Sequence, residues 1–195
     1  MNKFLIKFLL LSLFILVQCK SVNHKVSITQ RKVSQKVIIR TASDNKNSII
    51  RIQFPNEIIL KNNSLRKRDL LTINYIYNNI PSNRNLNLGL YTRKNGTLMR
   101  VRNNKKKIIP SKDSLNFVFY SRHFVDSTKS TQKQFKPYVE KMLGLDKDTL
   151  HIGTVSEFKQ KHEELFEKLT KGDSISIQFL DGKKLGERIT VPVKW

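Results

Sequence analysis

Between residues 24 and 110 the chain returns again and again to one pattern, an apolar side chain at every second position. Val26/Ile28, Val37/Ile39, Ile50/Ile52/Phe54, Leu71/Ile73/Tyr75/Tyr77 and Leu86/Leu88/Leu90 all alternate with mainly polar or charged neighbours. In an extended chain successive side chains point to opposite faces, so this period makes strands with one buried and one wet face. Ser43-Asp44-Asn45, Pro55-Asn56, Asn62-Asn63-Ser64 and Pro81-Ser82-Asn83 separate the runs as turns. No segment in this range carries an apolar stripe at helical spacing. Several short strands at such intervals predict an antiparallel, sandwich-like arrangement for residues 26–110.

From residue 111 the period changes. Leu115/Phe117/Phe119 is one more strand. Pro137 then suits the first turn of a helix with Phe135, Tyr138, Val139, Met142 and Leu143 on one face, closed by a glycine cap at Gly144-Leu145. Thr154 and Glu157 form a capping box that opens a second helix. Its stripe is Val155, Phe158, His162, Leu165, Phe166 and Leu169, its wet side carries Lys159–Glu163, Glu164–Lys168 and Glu167–Lys171 pairs, and Gly172 ends it. Ile175/Ile177/Phe179 and Ile189/Val191/Val193/Trp195 predict two strands around an Asp181-Gly182 turn, with Pro192 directing the last to a sheet edge. The expected class is α+β: a β-rich, sandwich-like part over 26–110, then a small α+β part over 111–195 with two helices.

Charge changes at the same place. Residues 20–110 carry 20 Lys+Arg against 3 acids, and residues 111–195 carry 15 against 12, within a formal net charge of +22. The 17 Asn and single Ala (Ala42) suggest AT-rich coding, which raises Lys but does not remove Glu. The acid-poor first part therefore needs another reason, and the division predicts two structural units meeting near residue 110.

The N-terminus reads as an address. Lys3 and Lys7 precede an apolar run from Phe8 to Val17, too short to span a bilayer comfortably and suited to a secretory segment. The run ends in Leu16-Val17-Gln18-Cys19, and Cys19 is the only cysteine of the chain. Residues 1–19 resemble the signal peptide and lipobox of bacterial lipoproteins, with Gln18 standing where that family usually has Gly, Ala or Ser. The resemblance implies removal of residues 1–18 and a diacylglycerol thioether and N-acyl chain on Cys19, with residues 19–25 as a tether. Several acyl chains anchor a protein durably, where one does so only marginally. It also implies a place in the cell envelope; with Lys20-Ser21 and no Asp after the cysteine, the outer membrane is expected.

Chemistry is sparsely signalled. One cysteine excludes a disulfide framework and a cysteine-built zinc site. Of His24, His123, His151 and His162, the last begins an HEELF run whose final position, Phe166, cannot supply the second ligand of a zincin motif. Asp146-Lys147-Asp148 lacks the third acid and the glycine of a calcium loop. No nucleophile elbow, P-loop or dinucleotide fingerprint occurs, and no cofactor is expected. An envelope enzyme with an unrecognised site is the alternative, which a convergent pocket around His123 or His151 would favour.

The informative stretch is Leu86–Ile109. Asn95-Gly96 between alternating runs is a two-residue hairpin turn, pairing Lys94 with Thr97, Thr92 with Met99 and Leu90 with Val101. One face then holds Leu86, Leu88, Leu90, Met99 and Val101; the other holds Tyr91, Arg93, Leu98, Arg100 and Arg102. A second turn at Asn103-Asn104 adds Lys105 and Lys107 to that outer face. Like charges across strands repel, so such a face suggests an anionic partner: phospholipid head groups, lipopolysaccharide phosphates or an acidic protein. The competing reading is a solvated positive surface. Nucleic acid matches the charge but not an exported protein. Lys61 with Arg66-Lys67-Arg68 forms a second basic cluster, read as a solvated loop.

Overall fold

The computed structural model describes residues 25–43, 45–78 and 88–195. Cys19, His24 and Leu86 lie outside the described residues. The strands are β1 (Val26–Arg31), β2 (Val37–Thr41), β3 (Ile49–Gln53), β4 (Pro55–Asn62), β5 (Arg68–Ile76), β6 (Gly89–Lys94), β7 (Thr97–Arg100), β8 (Lys107–Ile109), β9 (Ser114–Tyr120), β10 (His123–Phe124), β11 (Thr149–Ile152), β12 (Ser174–Asp181) and β13 (Lys184–Pro192). The helices are α1 (Lys129–Lys133), α2 (Lys136–Gly144), α3 (Val155–Lys161) and α4 (Glu163–Thr170). The fold is β-rich α+β, and the strands pair antiparallel in three sheets ordered β1-β4-β9-β6-β7, β10-β3-β2-β11 and β13-β12-β5-β8.

Two cores hold these layers together. The first and third sheets face each other across Ile58, Leu60, Leu90, Phe117 and Phe119 on one side and Ile73, Tyr75, Ile175, Ile177 and Phe179 on the other. The second sheet lays Val37, Ile39, Ile49 and Ile52 against Phe135, Val139, Met142, Phe158, Leu165 and Phe166 of the helical segment. Phe54 and Trp195 join the two: their rings lie 5.7 Å apart, and Trp195 also meets Phe166 at 6.0 Å and Phe119 at 6.4 Å. The C-terminal segment is drawn there by hydrogen bonds from Asn56 Nδ2 to the Lys194 carbonyl (2.8 Å) and from the Lys194 N–H to Gln30 Oε1 (3.0 Å).

Several sequence expectations change in physical detail. Pro55-Asn56 is not a turn but the start of β4, a central strand, and the proline sits at its first position, where a missing N–H is tolerated. The alternation in β3 breaks at a bulge opposite Arg40/Thr41, so Ile49 is buried and Ile50 only half-buried. A second bulge, at Gln178/Phe179, brings Leu70 rather than Leu71 into the core. The helix expected after Thr154 is divided at His162 (φ −136°, ψ 48°), although the capping box forms as read. Asp146 (φ 48°), not Gly144, takes the left-handed position after α2. Strands from either side of residue 110 pair with one another in all three sheets, β9 with β4, β11 with β2 and β12 with β5. The change of period there marks where helices begin, all four among the described residues following residue 110, while the sheets themselves run across it.

Candidate anion-binding cleft

The Asn95-Gly96 turn forms with both residues at positive φ (49° and 78°), the backbone a two-residue hairpin demands. Its register is the expected one: Tyr91 opposite Arg100, Thr92 opposite Met99, Arg93 opposite Leu98 and Lys94 opposite Thr97. The Val101 N–H continues the ladder to the Leu90 carbonyl at 2.8 Å. The inner face is only partly covered: Leu88 and Leu90 are buried, but Met99 is 50% exposed, because β7 is the edge strand of its sheet. Tyr91 turns its ring edge-on to Tyr120 (centroids 5.7 Å apart) and packs over Gly89, where a Cβ would stand 3.1 Å from that ring. Arg93, Arg100, Arg102 and Lys105 are exposed.

Beyond Arg100 the chain crosses from the first sheet to the third, and two side chains fix the crossing. Asn103 imitates a neighbouring strand: its Oδ1 accepts from the Ile73 N–H at 2.9 Å and its Nδ2 donates to the Ile73 carbonyl at 2.7 Å. This satisfies β5 just past the point where its ladder with β8 ends at Leu70–Lys107. Lys107 does not join the arginines. Its ammonium turns inward and donates to the carbonyls of Leu71 (2.9 Å), Asn103 (2.8 Å) and Lys105 (2.8 Å). Burial pushes that ammonium down to about 8, while the three carbonyls hold its proton at neutral pH.

The crossing segment walls a cleft of about 640 Å³ lined by Thr72, Asn74, Leu88, Leu90, Arg100, Val101, Arg102, Asn103 and Asn104. Its lining combines the apolar Leu88, Leu90 and Val101, at the end of the first core, with Arg100, Arg102 and the neutral amide and hydroxyl residues. Among the described residues neither arginine is paired with a carboxylate. Guanidiniums offer rigid forks of donors to phosphate or carboxylate oxygens. Of the six residues expected on an anion-binding face, the cleft brings together Arg100 and Arg102. Arg93 and Lys105 stand outside its lining, and Tyr91 and Lys107 are engaged elsewhere. Sequence reading missed Thr72 and Asn74, which come from β5, and took Asn103 only as a turn residue. Nothing local marks these three, since their roles arise from pairing across some thirty residues.

The alternative of an enzyme was tied to His123 and His151. His151 is exposed on β11. His123 Nε2 lies 2.9 Å from Ser121 Oγ and its Nδ1 3.9 Å from Asp173 Oδ2, the order of a hydrolase triad. Yet all three are buried, with His123 2% exposed, and Phe54, Tyr75 and Tyr77 enclose the imidazole. A substrate carbonyl has no approach to Ser121 Oγ. Burial lowers the imidazole to about 3, so it stays neutral, and raises the Asp173 carboxyl to about 6 against the hydrogen bonds from the Asn78 N–H and Tyr75 hydroxyl (both 2.9 Å) that favour its anion. The network joins the two cores. Among the described residues no group of three or more His, Cys, Asp or Glu side chains is placed to hold a metal ion, and no helix is long and apolar enough to cross a membrane.

The chain matches no family model and no curated protein.

Proposed function

We propose that this is a lipid-anchored protein of the bacterial envelope that acts by binding, and that the cleft between β5 and the β7 crossing receives the head of an anionic amphiphile. The observation that supports this reading is the pairing of Arg100 and Arg102, without carboxylate partners among the described residues, with the apolar surface of Leu88, Leu90 and Val101 in one cavity. Two guanidiniums bind a phosphate or carboxylate, and the exposed end of the core receives the first methylenes behind it. An inorganic anion would use only the first half of that chemistry.

The test uses residues 20–195, which contain every strand and helix of both cores, and dihexanoyl phosphatidate below its micelle concentration. Titration calorimetry should detect binding that weakens with added salt, while dihexanoyl phosphatidylcholine binds more weakly. Replacing Arg100 and Arg102 by Ser should reduce affinity for the phosphatidate at least ~30-fold, taking roughly 1–1.5 kcal/mol for each guanidinium–phosphate hydrogen bond removed. An unchanged affinity in that variant would refute the reading.

A further inference from the structure

A second surface, remote from the cleft, combines exposed apolar side chains with a cluster of cations. Leu65, in the loop between β4 and β5, is 83% exposed. The loop is nonetheless fixed. Asn62, wholly buried, donates from Nδ2 to the carbonyls of Arg66 (2.8 Å), Pro110 (2.9 Å) and Ile109 (3.3 Å), and its Oδ1 accepts from Ser64 N–H (3.0 Å) and Oγ–H (2.7 Å). Lys112 Nζ adds a bond to the Asn63 carbonyl at 2.6 Å. A buried asparagine thus holds a leucine out into solvent.

The third sheet extends this surface. Leu185, Leu180, Asp69 and Ile108 stand directly opposite one another across β13, β12, β5 and β8, in a row at the end where the Leu65 loop feeds β5. Leu185 is 66% exposed and Ile108 45%. Lys61, Arg66, Lys67 and Lys112 near the Leu65 loop and Lys183 and Lys184 at the β12–β13 turn are all exposed, against exposed Asp113 and Asp181. The carboxylates of Asp69 and Glu187 at this end are taken up by Lys106 (3.0 Å) and Arg68 (3.2 Å).

The start of the described chain lies here too. The Lys25 carbonyl accepts from the Asn63 N–H at 2.9 Å, and β1 opens with Val26 opposite Asn62. Cys19 precedes Lys25 by six residues, an extended reach of at most ~20 Å. A cationic surface alone would suit any polyanion. Leucines held out among the cations distinguish a bilayer, which offers anionic head groups and hydrocarbon at successive depths.

We infer that this end of the molecule, carrying Leu65, Ile108, Leu185 and the surrounding lysines and arginines, docks on a bilayer with anionic head groups. It rests on the lipid-anchor reading only for the direction of the tether. The cleft is a separate feature, since Thr72 and Asn74 lie three and five residues along β5 from Asp69 of that row, about 10–17 Å at strand rise.

The experiment again uses residues 20–195, which contain no cysteine. Leu65→Cys bearing an environment-sensitive NBD label should shift to the blue on phosphatidylglycerol/phosphatidylcholine vesicles. The same label at Leu143→Cys, an exposed leucine of α2, should not. In co-sedimentation, the triple variant Leu65→Ser, Arg66→Ser, Lys67→Ser should lose at least ~20-fold in partitioning, at roughly fivefold per basic residue. Lys129→Ser with Lys133→Ser, two exposed lysines of α1, should stay within about threefold of wild type. Absence of a shift at position 65, an equal shift at position 143, or wild-type partitioning of the triple variant overturns the inference. A loss in the α1 lysine variant as large as that in the triple variant also overturns it. Vesicle docking as expected, with no phosphatidate bound in the cleft, removes the cleft reading and leaves this one.

Discussion

Asp173 should contribute increasing stability as the solution is acidified from neutral, against the usual trend for a carboxylate, and comparison with a variant lacking it isolates that contribution. Its carboxyl is raised to about 6 by burial, from 3.8 in an unfolded chain. Between those values the folded chain holds one more proton than the unfolded chain, so stability increases as pH falls through the window and levels off below it. Two pH units correspond to roughly 3 kcal/mol at most. Around this carboxylate, His123 stays neutral throughout, with its imidazole at about 3, and the Tyr75 hydroxyl is raised well above its usual range. Asp173 alone therefore titrates within the folded network, while His123, which takes up its proton only in the unfolded chain, opposes the trend in both proteins and cancels in their difference. Replacing Asp173 by Asn keeps a group of the same shape beside Tyr75 and Asn78 and removes the proton. The assay is urea unfolding followed by the fluorescence of Trp195, the single tryptophan, which sits where the cores meet. Between pH 6.5 and 4.5 the linkage supplies about 1.8 kcal/mol, so with a urea slope of about 2 kcal/mol/M the wild-type midpoint should rise by ~0.9 M relative to the variant. Half-buried Asp126, whose carboxyl is held well below the usual range by Thr128, Lys168 and Thr131, titrates alike in both proteins and cancels. Parallel profiles in the two proteins would refute the reasoning.

Lys107→Met keeps the buried stem but takes the donor from three carbonyls, and should cost about 1–3 kcal/mol in urea unfolding. Hydrogen exchange at the Ile73 amide, which donates to Asn103, should accelerate in the same variant, because the Asn103 carbonyl is one of the three released. Mass spectrometry of the mature protein should find Cys19 as its first residue, carrying acyl chains; an unmodified chain, or one retaining Met1, would remove the anchor.

The strands were legible wherever the ladder is regular. The hairpin at Asn95-Gly96 forms in the register its turn dictates, because two positive-φ residues fix which side chains face each other. The pattern misled at Ile50 and Leu71, where a bulge inserts one residue and reverses the parity of everything beyond it. β4 escaped notice because Pro55-Asn56 and Asn62-Asn63 both carry turn chemistry, yet Asn56 and Asn62 spend their side chains on distant carbonyls. The register placing Tyr91 opposite Arg100 was legible for the same reason as the hairpin, but a cleft lined by Arg100 and Arg102 together with Leu88 and Leu90 was not, because alternation assigns those residues to opposite faces. Lys107 was misplaced because period two cannot tell an outward lysine from one whose ammonium finds three carbonyls within the loop. The Ser121–His123–Asp173 network, which joins the segment between β9 and β10 to the residue before β12, leaves no local mark.

The interleaving of strands across residue 110 governs the order in which the molecule can come into being. Every sheet of the first part waits for strands synthesised later: β4 for β9, β2 for β11, β5 for β12. The last bonds to close are among the longest in sequence, Gln30 to Pro192 spanning 162 residues. A ribosome or translocon delivers the chain from its N-terminus, so the basic strands emerge with edges unpaired and must stay apart until the C-terminal segment arrives. Their dense positive charge, whatever it binds once folded, keeps those waiting edges from meeting those of another copy.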